Sequence, residues 1–203
     1  MYPTHHPKRW SVGIDPGMKC TAVTLLADDV PIAAEASTSG EKADKPIQHR
    51  VRMMTLWLRK IIQKWVDQYS IETLVVLVEI PFLNHLNVKT SFVQTRMLAC
   101  YEECLFDLQN VEVWLGEISN TSVKLAFTGD GHAEKHIMIS RSAWKYRPDV
   151  PLRDHLADSQ AIGAMWPVLT KISDDELRTA TSIYSDQAIG HGRVWQRPSK
   201  EDD

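Results

Sequence analysis

Four side chains able to hold a hard cation or move a proton come from three distant stretches of the sequence: Asp15 and Glu79 each end an apolar run, and His155 and Asp158 lie one turn apart on a late helix. The apolar run Trp10-Ser11-Val12-Gly13-Ile14 stops at Asp15-Pro16-Gly17, which places a carboxylate at the rim of a sheet beside a turn in which Gly17 is expected to supply a positive φ. Alone, an Asp-Pro-Gly merely initiates a turn. The second acid, Glu79, ends the nearly unbroken apolar run Leu74-Val75-Val76-Leu77-Val78, the pattern of a strand buried on both faces. A helix is predicted over Asp154–Trp166, and spacings of three and four put Asp154, His155 and Asp158 on one exposed edge of it, with Asp154 at the N-cap position. Carboxylates gathered at one rim repel and raise one another's pKa unless hard cations sit among them. Two divalent ions about 3.5–4 Å apart can activate water and stabilise the leaving oxygen of an in-line displacement, so a two-metal phosphodiester site is the chemistry this set suits.

The elements that must position these groups follow from periodicity. Strands are expected at Trp10–Asp15, Met18–Leu26 and Pro31–Ala36, an antiparallel meander, with Pro16-Gly17 as the first hairpin turn. From Asp44 to Tyr69 the residues Ile47, Val51, Met54, Leu58, Ile61, Trp65 and Tyr69 recur at three and four, a long amphipathic helix with its basic residues opposite. A strand over Ile71–Glu79 comes next, then a helix over about Val88–Leu108 and a fifth strand at Val111–Leu115. Short helices are expected at Ser119–Phe127, capped by Ser119 or Asn120, and from Ala133 to Ser142, with Ala143–Arg153 as a loop. The expected organisation is an N-terminal extension at 1–9, one domain at 10–170 and an acidic polar tail at 171–203 holding at most a short helix near Asp174–Ala180.

Composition sets the class. A chain of 203 residues with 43% hydrophobic and 24% charged residues suits one globular domain, and no apolar run approaches a membrane span of about 18 residues. The first nine residues lack the apolar stretch of a secretory signal. Three cysteines, Cys20, Cys100 and Cys104, make no paired framework and favour a reducing cytoplasm. The net charge is −3, the same as that of the segment Ile172–Asp203, so the body is neutral overall. Basic residues nevertheless cluster at Lys42–Lys64 and Ile118–Arg147.

The order of these motifs resembles the RuvC-type Holliday junction resolvases, of the ribonuclease H-like fold, over roughly Ser11–Trp166. Gly13-Ile14-Asp15-Pro16-Gly17 is similar to the family's first motif and Glu79-Ile80-Pro81-Phe82 to its second. Ser122–Lys135 is similar to a third, DNA-facing segment, and His155-Leu156-Ala157-Asp158-Ser159-Gln160-Ala161-Ile162-Gly163 to the last. The resemblance implies an α/β domain, a five-stranded mixed sheet flanked by helices. It implies a crossover junction endodeoxyribonuclease with two Mg²⁺ or Mn²⁺ per site, leaving 5′-phosphate and 3′-hydroxyl ends. Asp15, Glu79, His155 and Asp158 are then the catalytic metal-binding residues, with His155 holding water or the second ion. Phe82 is the wedge against bases at the junction centre, and Lys124 and Lys135 face the DNA. Branched DNA and a second copy of the chain are the implied partners, in the nucleoid of a bacterium or of a phage-infected cell. A two-fold dimer suits the two symmetric cuts a junction needs, and the helix from Val88 to Leu108 is the expected interface, because Phe92, Met97, Leu98, Tyr101, Leu105 and Phe106 exceed one core-facing stripe. Asp154 is a departure from the pattern, expected to cap its helix.

Other readings fit less of the chain. Actin-like and sugar-kinase ATPases use a similar hairpin but need two such domains. Gly129-Asp130-Gly131 lacks the third Gly of a dinucleotide loop, and the Glu in His132-Ala133-Glu134-Lys135-His136 is not where a zinc protease needs it. A non-catalytic junction-binding protein would not need the acids, and another ribonuclease H-like nuclease acting on branched or RNA-containing substrates would.

Overall fold

The computed structural model describes residues 9–17, 19–38, 46–80, 88–147, 149–165 and 193–196. Strands β1 (Trp10–Asp15), β2 (Cys20–Ala27) and β3 (Val30–Thr38) form the antiparallel meander, followed by helix α1 (Ile47–Tyr69), β4 (Thr73–Glu79), helix α2 (Val88–Phe106) and β5 (Glu112–Ile118). Helices α3 (Asn120–Thr128), α4 (Lys135–Arg141) and α5 (Arg153–Gly163) complete the body, and β6 (Arg193–Gln196) comes from the tail. The sheet order is β3-β2-β1-β4-β5-β6. β1, β4 and β5 run parallel, and β2, β3 and β6 run antiparallel to their neighbours. The five-stranded mixed sheet flanked by helices is therefore present, and the tail adds a short sixth strand on β5. The polar composition around Arg193–Gln196 carried no strand signal, because an edge strand draws its stability from the ladder it joins rather than from an apolar pattern of its own.

Alternation along β4 divides the interior in two. Leu74, Val76 and Val78 join α1 and α2 in the larger core, with Val12, Ile14, Val23 and Leu25, while Val75 and Leu77 join Ile118, Val123, Met138, Ala161, Ile162 and Met165 in the smaller one. The sheet is thus covered on both faces, as parallel strands require. Turn chemistry fits locally. Asp28 and Asp29 take φ of 46° and 68° between β2 and β3, the paired left-handed residues of a two-residue hairpin turn. Gly129 ends α3 at φ 88°.

Four expectations change. Gly17 is not among the residues of positive φ; a Cβ there would overlap the Cys20 carbonyl oxygen, so close approach and not φ calls for Gly. Leu152 occupies the N-cap position of α5, and Asp154 lies inside the first turn and not at the cap. The edge bearing Asp154, His155 and Asp158 is half-buried, not exposed. On α2, Met97, Leu98, Tyr101 and Leu105 are all buried, Phe106 packs against the core, and Phe92 alone of the six is exposed. The loop after α4 also contains a 3-10 turn at Ala143–Tyr146. The Asp174–Ala180 segment and the N-terminal residues 1–8 lie outside the described residues.

Candidate active site at the carboxylate rim

Parallel pairing brings the first two acids together. Ile14 is level with Val78 in the β1–β4 ladder, so the next residue on each strand, Asp15 and Glu79, leaves the sheet at the same end. β4 and β5 are also in step, Glu79 against Ile118, with the Ile80 N–H donating to the Ile118 carbonyl at 2.8 Å. Two residues on, Asn120 opens α3 and its Nδ2 donates to Glu79 Oε1 at 3.0 Å.

Helix α5 reaches the rim by lying directly on β1 and β2. A Cβ on Gly13 would overlap the Ser159 carbonyl oxygen and the Gly163 nitrogen, and one on Gly163 would overlap the Leu26 side chain. The two glycines therefore permit a backbone-to-backbone approach that any side chain would block. Hydroxyl bonds fix the seat: Ser11 Oγ donates to the Gly163 carbonyl at 3.0 Å, and Thr24 Oγ1 and Ser159 Oγ are 2.7 Å apart. Held this way, His155 Nδ1 lies 2.7 Å from Asp15 Oδ2. On the other side of the rim Thr21 Oγ1 donates to the Gly17 carbonyl at 3.1 Å and lies 2.7 Å from the Tyr101 hydroxyl, bracing the turn that follows Asp15.

The electrostatics are those of crowded, dehydrated acids. Burial, and then the Asp15 charge, push Glu79 up to about 7, against the Asn120 bond and the nearby Lys124 charge, which favour ionisation. Burial and Asp15 likewise push Asp158 up to about 6. His155 is raised, first by its bond to Asp15. Asp154 behaves differently: burial works to raise it, but a 2.7 Å ion pair with Lys135 and the neighbouring His155 hold it below the ordinary carboxylate range. The Cys20 thiol beside the rim is pushed up to about 11 by burial and by Asp15, so it stays protonated and offers neither a nucleophile nor a thiolate ligand.

No protein-family description matches the chain, and no curated protein matches it in sequence. Solved structures do. Thermus thermophilus RuvC in complex with Holliday junction substrate superposes with a TM-score of 0.59 at 18% identity, over 81% of this chain and 96% of that one. The yeast mitochondrial Holliday junction resolvase Ydc2 superposes with a TM-score of 0.54 at 12% identity, over 81% and 80%. The fold is that of the RuvC-type resolvases.

On this RuvC-type fold the four residues expected to carry chemistry come from three separate parts of the chain to one end of the sheet. Their donor set, three carboxylates and an imidazole, suits a hard divalent cation, and the carboxyls of Glu79 and Asp158 are raised first by burial and then by the Asp15 charge beside them. Among the described residues no group of three or more His, Cys, Asp or Glu side chains is drawn together closely enough to hold a metal ion as it stands. Lys124 lies on α3 within electrostatic reach of Glu79. Lys135 begins α4 and is engaged with Asp154. Phe82 lies outside the described residues. No helix among the described residues is long and apolar enough to cross a membrane. The sequence reading missed the Asn120 bond to Glu79, for which the only signal was an Asn just beyond a strand level with β4. It also missed the seat formed by Ser11, Thr24, Ser159 and the two glycines, whose signal was small and hydroxyl residues at positions where strand and helix patterns call for bulk.

Proposed function

We propose that the protein is a structure-selective endodeoxyribonuclease that resolves four-way DNA junctions by paired nicks, with two Mg²⁺ or Mn²⁺ held by Asp15, Glu79, His155 and Asp158. The observation that carries this reading is the meeting at one rim of Asp15, Glu79 and Asp158, two of them with pKa values raised by burial and mutual repulsion. Divalent ions would supply Lewis-acid stabilisation and a hydroxide-like water at neutral pH. The chain's own groups do the rest. Asp15 anchors the His155 ring through Nδ1, which fixes the ring's orientation and leaves Nε2 as its second nitrogen to hold water or an ion. Lys124 and Lys135 contact phosphates beside the rim, and Phe82 stacks on bases at the branch point.

A junction offers two symmetry-related strands, so the protein acts as a two-fold dimer. Exposed Phe92 on α2, with Met53 and Leu56 on α1, is the apolar surface for it, and sedimentation at micromolar concentration should show two copies. A monomer making paired cuts would refute the dimer. The deciding experiment offers synthetic four-way, flap, duplex and RNA-containing substrates with Mg²⁺ or Mn²⁺. Paired nicks with 5′-phosphate and 3′-hydroxyl ends on the four-way substrate are expected. Faster cutting of RNA-containing or flap substrates would move the protein to a different nuclease activity, and binding without any cutting would make it a junction-binding protein.

A further inference from the structure

We infer that Asn120 is a positioning residue for the metal site, acting through Glu79; this rests on the reading of Glu79 as a metal ligand. Its amide Nδ2 donates to Glu79 Oε1 at 3.0 Å. An ionised carboxylate only accepts, so toward the ionised Glu79 that a cation requires, the Asn120 side chain presents its NH₂ and not its oxygen, which occupies one lone pair of Oε1.

Three features assign the side chain to Glu79 and not to its own helix. Ser119 caps α3, its Oγ accepting from the Ser122 N–H at 3.2 Å, so Asn120 is free of the capping task to which its residue type is suited. The β4–β5 ladder ends with Glu79 level with Ile118 and is extended by the Ile80-to-Ile118 bond, which holds the first turn of α3 beside the Glu79 carboxylate. Finally, Asn is neutral. Lys135 shows the alternative, because its ammonium bonds to Asp154 at 2.7 Å and supplies that acid with a counter-ion of its own. A neutral donor orients Glu79 without cancelling the charge that attracts a cation. Partners of this kind behind a ligand typically govern metal affinity by about 10–100-fold.

The test measures Mn²⁺ binding to the DNA-free full chain by calorimetry, with thermal melting alongside, for the wild type, Asn120→Ala, Glu79→Gln and the double variant. Asn120→Ala should bind Mn²⁺ about 10–100-fold more weakly with a melting temperature close to wild type. The metal concentration for half-maximal nicking should rise while the rate at saturating metal largely recovers. In the Glu79→Gln background, Asn120→Ala should have no further effect on Mn²⁺ binding. Wild-type affinity in Asn120→Ala, or an equal loss in both backgrounds, overturns the role assigned to Asn120. Wild-type affinity in Glu79→Gln instead removes Glu79 from the metal site, and the proposed function loses its ligand independently of Asn120. Should Asn120→Ala melt below the assay temperature, the near-isosteric Asn120→Leu makes the same comparison.

Discussion

His155 Nδ1 and Asp15 Oδ2 stand 2.7 Å apart, joining α5 to the end of β1 across 140 positions of sequence. Only 30% of the His155 side chain and 16% of the Asp15 side chain remain accessible. The bond favours a protonated ring and raises the His155 pKa. The raised carboxyls of Glu79 and Asp158 share the sign of this shift, and the lowered Asp154 has the opposite one.

His155, Glu79 and Asp158 each have a folded-state pKa above the ordinary value, so each favours the protonated folded protein. Their stabilising contribution is complete below the unfolded pKa and is lost as pH rises through the folded one. For Glu79, raised from 4.5 to about 7, the window runs from about pH 4.5 to above 7, with a loss on the order of 1–3 kcal/mol. Without metal, Glu79→Gln should therefore melt above wild type at pH 8 and lose that advantage near pH 4.5. Saturating Mg²⁺ or Mn²⁺ should stabilise wild type most at the alkaline end, where the acids are ionised. Melting curves in chelator and in metal across this range check it, and a wild-type-minus-variant difference that ignores pH would refute the assignment.

Asp15→Asn, Glu79→Gln and Asp158→Asn should each lower the nicking rate by on the order of 10³-fold or more, the loss of several kcal/mol of metal-borne transition-state stabilisation. If the rim faces DNA as proposed, junction binding should persist or tighten, since each substitution removes negative charge from it. Single-turnover cleavage and gel-shift titrations separate the two effects, and full activity in Asp15→Asn would remove Asp15 from the catalytic set.

Lys124→Ala and Lys135→Ala should weaken binding to every DNA substrate and reduce the salt slope by about one each. The ion pair adds a consequence. Asp154→Asn releases Lys135 from its partner, so that variant should bind DNA more tightly and with a steeper salt dependence than wild type. A salt titration with no change in slope for either lysine would place the DNA path elsewhere.

Gly13→Ala and Gly163→Ala add one methyl group where β1 and α5 touch through their backbones. Overpacking of this kind costs typically about 1–3 kcal/mol, and relief requires α5 to move away from β1, taking His155 and Asp158 from Asp15. Both variants should lower the melting temperature and depress nicking more than stability alone explains. Activity measured well below the melting temperature tests this, and wild-type rates there would uncouple the helix seat from the site.

Phe82→Ala should keep a near-normal melting temperature and cut fully paired junctions more slowly than junctions already unpaired at the crossover, the loss of stacking being worth roughly 1–3 kcal/mol. Equal slowing on both substrates with a large fall in melting temperature would make the ring structural.

The sequence by itself determined which acids end which elements. Asp15 and Glu79 close apolar runs, and His155 and Asp158 share neighbouring turns of a helix; strand alternation and helical period are local properties, so they were legible without knowing what packs on what. The same locality made α1, the meander and the start of α3 readable, with Ser119 or Asn120 as its cap; the structure decides for Ser119. What only the tertiary structure decided is the pairing of groups distant in sequence. That Asp154 meets Lys135 and is not a cap depends on how α4 lies against α5. That Asn120 reaches Glu79 depends on the β4–β5 register, and that Arg193–Gln196 forms a strand depends on a free edge of β5. The half-buried setting of the α5 acids depends on how closely that helix approaches the sheet. Gly13 and Gly163 make that approach possible, but a glycine records only the absence of a side chain, and the backbone that fills its place is specified by the fold.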